Sequence, residues 1–202
     1  MRAMLRVLSA AVLVAGAALA GEEFKTDNEG FIRDWLVLAP IPLEAEGTGA
    51  EEIDKQQLKD EGKLQPKAGD KATANKKDLV WKKIKAKDYY FDYAEILGQV
   101  TEQSIGYAVA YIVSDAEQTG LTLQMGSNDQ GKVYLNGKEL VKFTETRTID
   151  KDLDQGLNVT LTKGVNTLVF KVINEMNNWQ GCIRFTDKAK APVKNITIKL
   201  EP

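Results

Sequence analysis

Short apolar stretches with an alternating character follow one another along most of the chain after residue 78. Nine stretches rich in β-branched and aromatic residues are separated by Gly, Asn or Asp, which predicts strands joined by turns. In two of them, 132–136 and 166–172, polar and apolar positions trade faces with a period near two, as half-solvated antiparallel strands require. Nine strands, with an earlier one around Trp35, are too many for one ordinary sheet, so we expect two sheets packed face to face. The nine stretches are 79–81, 89–91, 104–113, 120–125, 132–135, 157–161, 167–172, 181–185 and 196–200.

Two tight turns are indicated between the predicted strands. Asn136 and Gly137 separate two alternating apolar stretches, and both residues tolerate the positive φ that a type I′ hairpin turn needs at its two central positions. Gly164, between the stretches at 157–161 and 167–172, suits the positive-φ position of a second turn. We therefore expect both pairs of flanking strands to be antiparallel neighbours.

Strand signals are also present earlier in the chain. Residues 31–42 form an apolar stretch of strand length that is stopped by Pro40 and Pro42, which predicts a buried strand. Lysines alternate along the stretch between Trp81 and Tyr89, and outward-facing lysines are a common protection of a sheet edge. This stretch therefore predicts an edge strand.

Residues 44–78 differ from the rest of the chain in composition and in hydrophobic pattern. They are rich in Glu, Lys, Gly, Ala and Gln, and no amphipathic period persists there for more than a turn or two. Residues 51–61 have enough helical spacing to predict one helix. We expect an insertion on the surface that is partly helical or disordered. The expected fold is all-β, a two-sheet antiparallel jelly-roll sandwich interrupted by this insertion.

The N-terminus has the three parts of a secretory signal peptide. Arg2 and Arg6 precede an apolar run at 7–19, and residues 18–20 read Ala-Leu-Ala, which matches a cleavage site. The alternative is a membrane anchor, but the uncharged stretch of about 14 to 17 residues is shorter than the roughly 20 that a bilayer span needs. We predict that residues 1–20 are removed and that 21–202 form a single exported domain, secreted or periplasmic, without a membrane span.

Net charge restricts the kind of partner, and the cysteine count indicates the compartment. The chain has 27 basic and 29 acidic residues, and removal of residues 1–20 would leave a net charge of about −4. A nucleic-acid partner would need a concentrated basic face, so this balance argues against one. One cysteine in an exported chain suits a bacterial envelope or exterior better than a disulfide-stapled ectodomain.

Two residue counts restrict the chemistry. The chain contains no histidine, which removes Ser-His-Asp and Cys-His nucleophile systems together with histidine metal sites. Cys182 is the only cysteine, so an intrachain disulfide, a CxxC pair and a thiolate zinc site are excluded. Carboxylate chemistry, oxygen-ligand cations and binding without chemistry remain. Ligand binding should change little between about pH 6 and 8, because no side chain has an ordinary pKa near neutrality.

Three blocks of the sequence resemble the galactose-binding-like β-sandwich, the jelly-roll module of family 2 glycoside hydrolases and of many secreted bacterial proteins. The blocks are a polar loop and Asn-Gly hairpin at 126–138, a Lys-Gly-x-Asn turn and strand at 161–172, and an aromatic-bearing last strand at 179–187. Residues 35–40 are similar to the first strand of such modules. The resemblance implies a rigid sandwich whose loops bind carbohydrate, and it specifies fold far more than function.

One loop carries the residue types that sugar recognition requires. Sugars are bound by an aromatic ring that stacks on the apolar face of the pyranose and by amide or carboxylate groups that fix the hydroxyls. Residues 174–179 supply both, and the predicted ligand-binding residues are Asn174, Asn177, Asn178 and Trp179. The alternative is that Trp179 packs in the core while the asparagines make the turn.

The composition leaves oxygen-ligand cation sites open, and two loops suggest a calcium site. Residues 127–131 form an oxygen-rich loop in which Asn128 and Asp129 could ligate a structural Ca²⁺, as sandwich modules of this resemblance often do. Residues 150–156 carry alternating carboxylates but not the spacing of an EF-hand loop. For each loop the alternative is an ordinary solvated turn. No other cofactor is expected.

The leading hypothesis is an exported, non-catalytic carbohydrate-binding module whose partner is a carbohydrate or a glycosylated surface. The first alternative is a structural or protein-interaction sandwich of the bacterial envelope, with a protein partner and no sugar. The second is a small glycoside hydrolase that uses two carboxylates, although no pair is preferred by the sequence. An exposed Trp179 in a groove would favour sugar binding, and a buried one under a smooth convex surface would favour protein interaction.

Overall fold

A computed structural model describes residues 21–44 and 48–202, so the predicted signal peptide lies outside the described residues. The described chain is mostly β. Its strands are β1 Glu23–Phe24, β2 Asp34–Pro42, β3 Lys71–Ala74, β4 Lys77–Val80, β5 Lys82–Lys85, β6 Phe91–Asp92, β7 Ser104–Ser114, β8 Gln118–Asn128, β9 Gly131–Leu135, β10 Lys138–Phe143, β11 Asp154–Leu161, β12 Gly164–Asn174, β13 Gln180–Thr186 and β14 Ile196–Lys199. Its helical turns are α1 Gly49–Glu52, a 3-10 turn Glu61–Lys63, and α2 Tyr93–Leu97.

Two antiparallel sheets contain most of these strands. The large sheet runs β1-β14-β7-β12-β9-β10, with β2 joined to the same edge of β7 as β14, and β5 joined to β2. The small sheet runs β11-β8-β13-β6. Strands β3 and β4 form a separate hairpin. The predicted all-β, two-sheet antiparallel sandwich is confirmed.

The main core lies between the two sheets. Large fully buried side chains from both sheets meet there, among them Trp35 and Phe170 of the large sheet and Phe91 and Phe185 of the small one. Trp35 and Phe170 each contact Phe91 edge-to-face, with ring centroids 5.6 and 5.8 Å apart. Burial of these rings supplies the largest apolar areas of the inner faces.

Residues 48–80 cover the opposite, outer face of the large sheet. Ile53 is completely buried there together with Trp81, against Tyr107 and Val169 of the central strands β7 and β12. The segment is partly helical as predicted, but the helix predicted over 51–61 is wrong. Only α1 and the 3-10 turn are helical, because the segment follows the sheet surface and bends between its apolar contacts.

A buried polar cluster joins this segment to the sheet. Lys171 of β12 is completely buried, and its Nζ donates to the carbonyl oxygens of Lys55 at 2.6 Å and Glu52 at 2.9 Å. Glu61, 1% exposed, accepts from the Oη atoms of Tyr107 and Tyr134 at 2.5 and 2.7 Å and lies 3.4 Å from Lys171 Nζ. Burial lowers the pKa of the Lys171 ammonium, and the Glu61 carboxylate opposes that shift.

This cluster corrects one sequence expectation. The alternation in 166–172 predicts a half-solvated strand, whereas Asn166 and Lys171 are both completely buried. Their polar groups are satisfied inside the protein: Asn166 Oδ1 accepts from Thr162 N at 2.9 Å, and Lys171 binds the covering segment. The alternation is therefore between two buried faces, one apolar and one partly polar.

The turns and the lysine-rich edge are as predicted. Asn136 and Gly137 have φ values of 52° and 82° and connect the antiparallel strands β9 and β10, and Gly164 has a φ of 95° at the start of β12. Strand β5 pairs with β2 and has exposed lysines, as an edge strand. The strand predicted at 89–91 is nearly absent, because only Phe91 belongs to β6.

Among the helices that the structure describes, none is long and apolar enough to cross a membrane.

Candidate functional site

A cavity of about 580 Å³ opens at the end of the sandwich where β8 of the small sheet and β12 of the large sheet finish and β13 begins. We call it the binding cavity. Its walls come from the end of β8, from the stretch before β11, and from the residues between β12 and β13. The lining residues are Asn128, Asp129, Thr146, Arg147, Thr148, Glu175, Met176, Asn177 and Asn178. The cavity therefore brings together four of the six residues that the sequence predicts for ligand or metal binding.

Residues 175–178 form the most exposed wall, which we call the binding loop. Asn177 has a φ of 66°, a conformation that asparagine tolerates better than most residues, and its backbone N–H donates to Glu102 Oε1 at 3.2 Å. Asn177 and Asn178 are exposed, and Met176 is 60% exposed. The loop thus exposes two side-chain amides and one apolar side chain at the cavity.

Trp179, the predicted stacking residue, lies in the core. It is 1% exposed, its ring lies 4.2 Å from that of Tyr93, and its Nε1 donates to the carbonyl oxygen of Val172 at 3.2 Å. The reason is its position directly before β13, where a side chain turns inward between the sheets. A sugar cannot stack on this ring, so the core alternative for Trp179 is the one that the structure adopts.

Asn174 also lies outside the binding cavity. It is completely buried at the end of β12, and its Nδ2 donates to the carbonyl oxygen of Thr101 at 2.8 Å. Its contact fixes the strand end from which the binding loop departs. We therefore assign it a supporting position rather than contact with a ligand.

Asp129 anchors two walls of the binding cavity. Its Oδ1 accepts from the backbone N–H of Arg147 at 3.2 Å, and its Oδ2 accepts from that of Glu175 at 3.1 Å. Burial raises the pKa of the Asp129 carboxyl above its ordinary value, and these hydrogen bonds oppose the rise. One carboxylate thus holds the stretch before β11 and the binding loop together.

The donor set does not form a calcium cage as it is placed. Ca²⁺ takes about six to eight oxygen ligands, whereas both oxygens of Asp129 face N–H donors. Among the described residues, no group of three or more Cys, Asp or Glu side chains could hold a metal ion. Calcium at Asn128 and Asp129 stays a prediction, and no property of the site is derived from it.

Arg147 is a site residue that the sequence analysis missed. Its Nε donates to the carbonyl oxygen of Ser127 at 3.1 Å, its Nη2 donates to Ser127 Oγ at 2.8 Å and to Asp154, and its guanidinium lies 3.6 Å from the centre of the Phe143 ring. These contacts use the guanidinium to brace the cavity wall. No local signal identifies it, because its partners are set by tertiary structure.

Glu175 connects the binding loop to the segment that covers the large sheet. Its Oε1 accepts from the N–H of Gly49 at 2.6 Å and from Gln130 Nε2 at 3.3 Å. A Cβ at position 49 would lie 2.2 Å from Gln130 Oε1, and Gln130 is 1% exposed, so glycine allows this close approach. The binding loop is therefore attached to α1.

Solved structures that are similar to this chain include the following three. A PA14 sugar-binding domain from an RTX adhesin covers 85% of this chain and 99% of its own, with 9% identity and a TM-score of 0.45. The PA14 domain of the MpAFP antifreeze protein covers 92% and 96%, with 8% identity and a TM-score of 0.41. The beta-glucuronidase of Ruminococcus gnavus covers 89% of this chain and 40% of its own, with 12% identity and a TM-score of 0.43.

No protein-family model and no curated protein matches the chain. The three neighbours are a domain named as sugar-binding, a domain of an antifreeze protein and a glycosidase. The TM-scores of these three structures are below 0.5, so the site is not interpreted from them. The sandwich is established by its two sheets, and the binding cavity is interpreted from its own residues.

Proposed function

We propose that this protein is an exported, non-catalytic carbohydrate-binding module and that the binding cavity is its sugar site. The observation that carries the proposal is the pairing of exposed amides, Asn177 and Asn178, with the Glu175 carboxylate around a cavity of about 580 Å³. Planar amides and carboxylates are the groups that fix sugar hydroxyls. Met176 offers the C–H face of a sugar the apolar contact that Trp179 does not supply. Without an aromatic platform, we expect weak affinity for a single sugar unit.

The two carboxylates of the cavity favour binding over hydrolysis. A glycosidase needs one carboxyl group as acid and a second as nucleophile or base, both available to the substrate. Asp129 instead uses both oxygens on backbone N–H groups, and Glu175 uses Oε1 on Gly49 and Gln130. We expect no release of reducing ends from any glycan that the protein binds. Release that Glu175→Gln abolishes would support the hydrolase instead.

A glycan array probed with residues 21–202 tests the proposal. We expect retention on a defined set of glycans, a loss of at least tenfold for Asn178→Ala, and a similar loss for Asn177→Gly, which keeps the positive φ. Asn195→Ala changes an exposed asparagine elsewhere and should retain full binding. If folded protein is retained on no glycan, or if all three variants behave alike, carbohydrate binding at this cavity is wrong.

A structural or protein-interaction module of the bacterial envelope is the second candidate. The burial of Trp179 favours it, since the strongest sugar-stacking side chain of the loop is withdrawn from the surface. Cross-linking of the exported protein in intact cells, followed by identification of the adduct, distinguishes the two. A protein adduct lost in Asn178→Ala, with no glycan retained, would favour the interaction module.

Export is part of the same proposal and rests on residues 1–20. We expect the protein in the periplasm or the medium, without its first 20 residues. Deletion of residues 2–20 should leave it in the cytoplasm, and mass spectrometry of the exported protein gives the cleavage position.

A further inference from the structure

The outer face of the small sheet is covered over one half and open over the other. At the covered half, the guanidinium of Arg184 lies 4.9 Å from the centre of the Phe31 ring, and the carbonyl oxygen of Asp150 lies against Gly126. At the open half, around the first residues of β8, there is a second cavity of about 320 Å³. We call it the sheet-face groove. It lies at the opposite end of β8 from the binding cavity, which involves Asn128.

The floor of the sheet-face groove is polar and nearly inaccessible. Gln124 and Thr186 face it from β8 and β13, and they are 6% and 1% exposed. Gln124 Nε2 donates to Thr186 Oγ1 at 3.3 Å, while Gln124 Oε1 has no hydrogen-bond partner among the residues that the structure describes. A buried amide oxygen without a partner is rare in folded proteins, and a ligand hydroxyl in the groove would satisfy it.

One wall of the groove is apolar. Leu157 of β11 lines it and is 65% exposed. Gly156 and Val159 of the same strand are buried. A sugar ring has an apolar face of C–H groups as well as its hydroxyls. Leu157 could contact the C–H face of the ring, while the amide and hydroxyl groups of the floor could bind its hydroxyls.

The other wall is basic, and hydrogen bonds fix the backbone of the turn that carries it. Lys188 and Lys190 line it from a turn in which Asp187 Oδ1 accepts from the backbone N–H groups of Ala189 and Ala191, at 2.8 and 2.9 Å. The Lys188 side chain crosses Gly120, where a Cβ would lie 2.7 Å from Lys188 Cε. Within the described chain neither lysine forms an ion pair, so two cations flank the groove and one carboxylate of the turn offsets them only in part.

From this arrangement we propose that the sheet-face groove is a second binding site, specific for acidic oligosaccharides. The carboxylate of a uronic acid unit would lie between Lys188 and Lys190, its hydroxyls would bind Gln124 Oε1, and its C–H face would contact Leu157. The site does not depend on the binding cavity, because the two share no lining residue. It would allow one sandwich to hold a charged chain and a second glycan at once.

The test measures binding of a galacturonic acid tetramer by calorimetry, with its fully methyl-esterified form as the matched neutral ligand. We expect the acid to bind at least tenfold more tightly than the ester, and its affinity to fall as salt rises. Lys188→Gln/Lys190→Gln should weaken the acid at least tenfold and leave the ester unchanged. Lys138→Gln/Lys163→Gln removes two exposed lysines elsewhere and should change neither.

Two further measurements identify the groove itself. Gln124→Leu should weaken both the acid and the ester without loss of cooperative unfolding, because it removes the floor but not the cations. Asn178→Ala should leave binding of the acid within twofold, so failure of the binding cavity and failure of the groove are separate results.

Four results would overturn the proposed acidic-oligosaccharide site. The first is equal binding of the acid and its ester, and the second is equal affinity of the lysine double variant and the native protein. The third is binding of polyglutamate as tight as that of the acid, which would mean unspecific attraction of polyanions, and the fourth is no binding at millimolar acid.

Discussion

The backbone N–H of Gly49 donates to Oε1 of Glu175 at 2.6 Å, across 126 positions of sequence. This contact attaches α1, on the outer face of the large sheet, to the binding loop at the end of the sandwich. Glu175 also donates its own N–H to Asp129, so the same residue connects the segment 48–80, the binding loop and the residue that follows β8. The conformation of the binding loop therefore depends on a segment that contributes no lining residue to the cavity.

Gly49→Ala should weaken glycan binding. The new Cβ would lie 2.2 Å from Gln130 Oε1, so Gln130 must move and its hydrogen bond to Glu175 is lost. We expect at least fivefold weaker binding and a cost of about 1–3 kcal/mol in the free energy of unfolding, although alanine favours the helix. Titration with a glycan retained by the native protein measures the first effect. Ala50→Ser, on the same helix and exposed, should change neither.

Trp179→Ala should destabilise the fold rather than act on ligand binding alone. The ring is buried between the sheets against Tyr93, so its removal should cost about 3–5 kcal/mol in the free energy of unfolding. Urea denaturation measures this cost. Met176→Ala, three residues away and exposed, should stay within about 0.5 kcal/mol. If Trp179→Ala unfolds at the same urea concentration as the native protein, Trp179 does not pack in the core.

Removal of Glu61 should be costly because three donors depend on it. Glu61→Leu leaves the buried Lys171 ammonium without its counter-charge and the hydroxyls of Tyr107 and Tyr134 without their acceptor, and we expect a loss of about 3–5 kcal/mol. Glu61→Gln keeps an acceptor and should lose less. The double variant Lys171→Met/Glu61→Leu should lose less than the sum of the two single variants, since both members of the ion pair are removed together. Additive losses would mean that the pair is not coupled.

Asp54 should make a pH-dependent contribution that disappears in acid. Hydrogen bonds from Lys132 and Lys142 lower the pKa of its carboxyl from 3.8 to about 2. Its contribution is therefore complete above pH 3.8 and is lost as the pH falls from there towards 2. Because the side chain is 55% exposed, solvent screening limits the effect to roughly 1 kcal/mol or less. The difference in unfolding free energy between native protein and Asp54→Asn should shrink between pH 6 and pH 2.

Glycan binding should be nearly constant between about pH 6 and 8. The chain has no histidine, and no other side chain titrates near neutrality at its ordinary pKa. Cys182 does not alter this, because burial raises the pKa of its thiol to about 12. Calorimetry at pH 6, 7 and 8 should give dissociation constants within about twofold. A larger change would mean that a group with a pKa near neutrality takes part in binding, which is not expected from the residues described around the cavity.

The local features of the fold could be predicted from the sequence, and the contacts between distant segments could not. The Asn136-Gly137 turn was predictable because its signal is the backbone freedom of two adjacent residues. The packing of residues 48–80 was not, because Ile53 and Trp81 touch the sheet at points that leave no regular period in the sequence. Lys171 likewise reads as a solvated position until the segment that covers it is known.

The same distinction between local features and distant contacts applies to the candidate site. Asn177 and Asn178 could be predicted, because exposed amides in a short connection between strands depend on local sequence alone. The position of Trp179 could not, because it depends on Tyr93, which lies 86 positions earlier. Arg147 was missed because the carbonyl and carboxylate that hold it, in Ser127 and Asp154, belong to two different strands.

The pairing of β1 with β14 has a practical consequence for engineering. Glu23 lies opposite Lys199 in that pairing, with the two side chains 3.0 Å apart, so the two ends of the described domain meet at one sheet edge. A short linker between residues 22 and 201 should therefore give a circular permutant, with new termini at the Asn136-Gly137 turn. For the same reason, tandem copies joined through these ends would emerge from a common edge and leave the binding cavity and the sheet-face groove of every copy accessible.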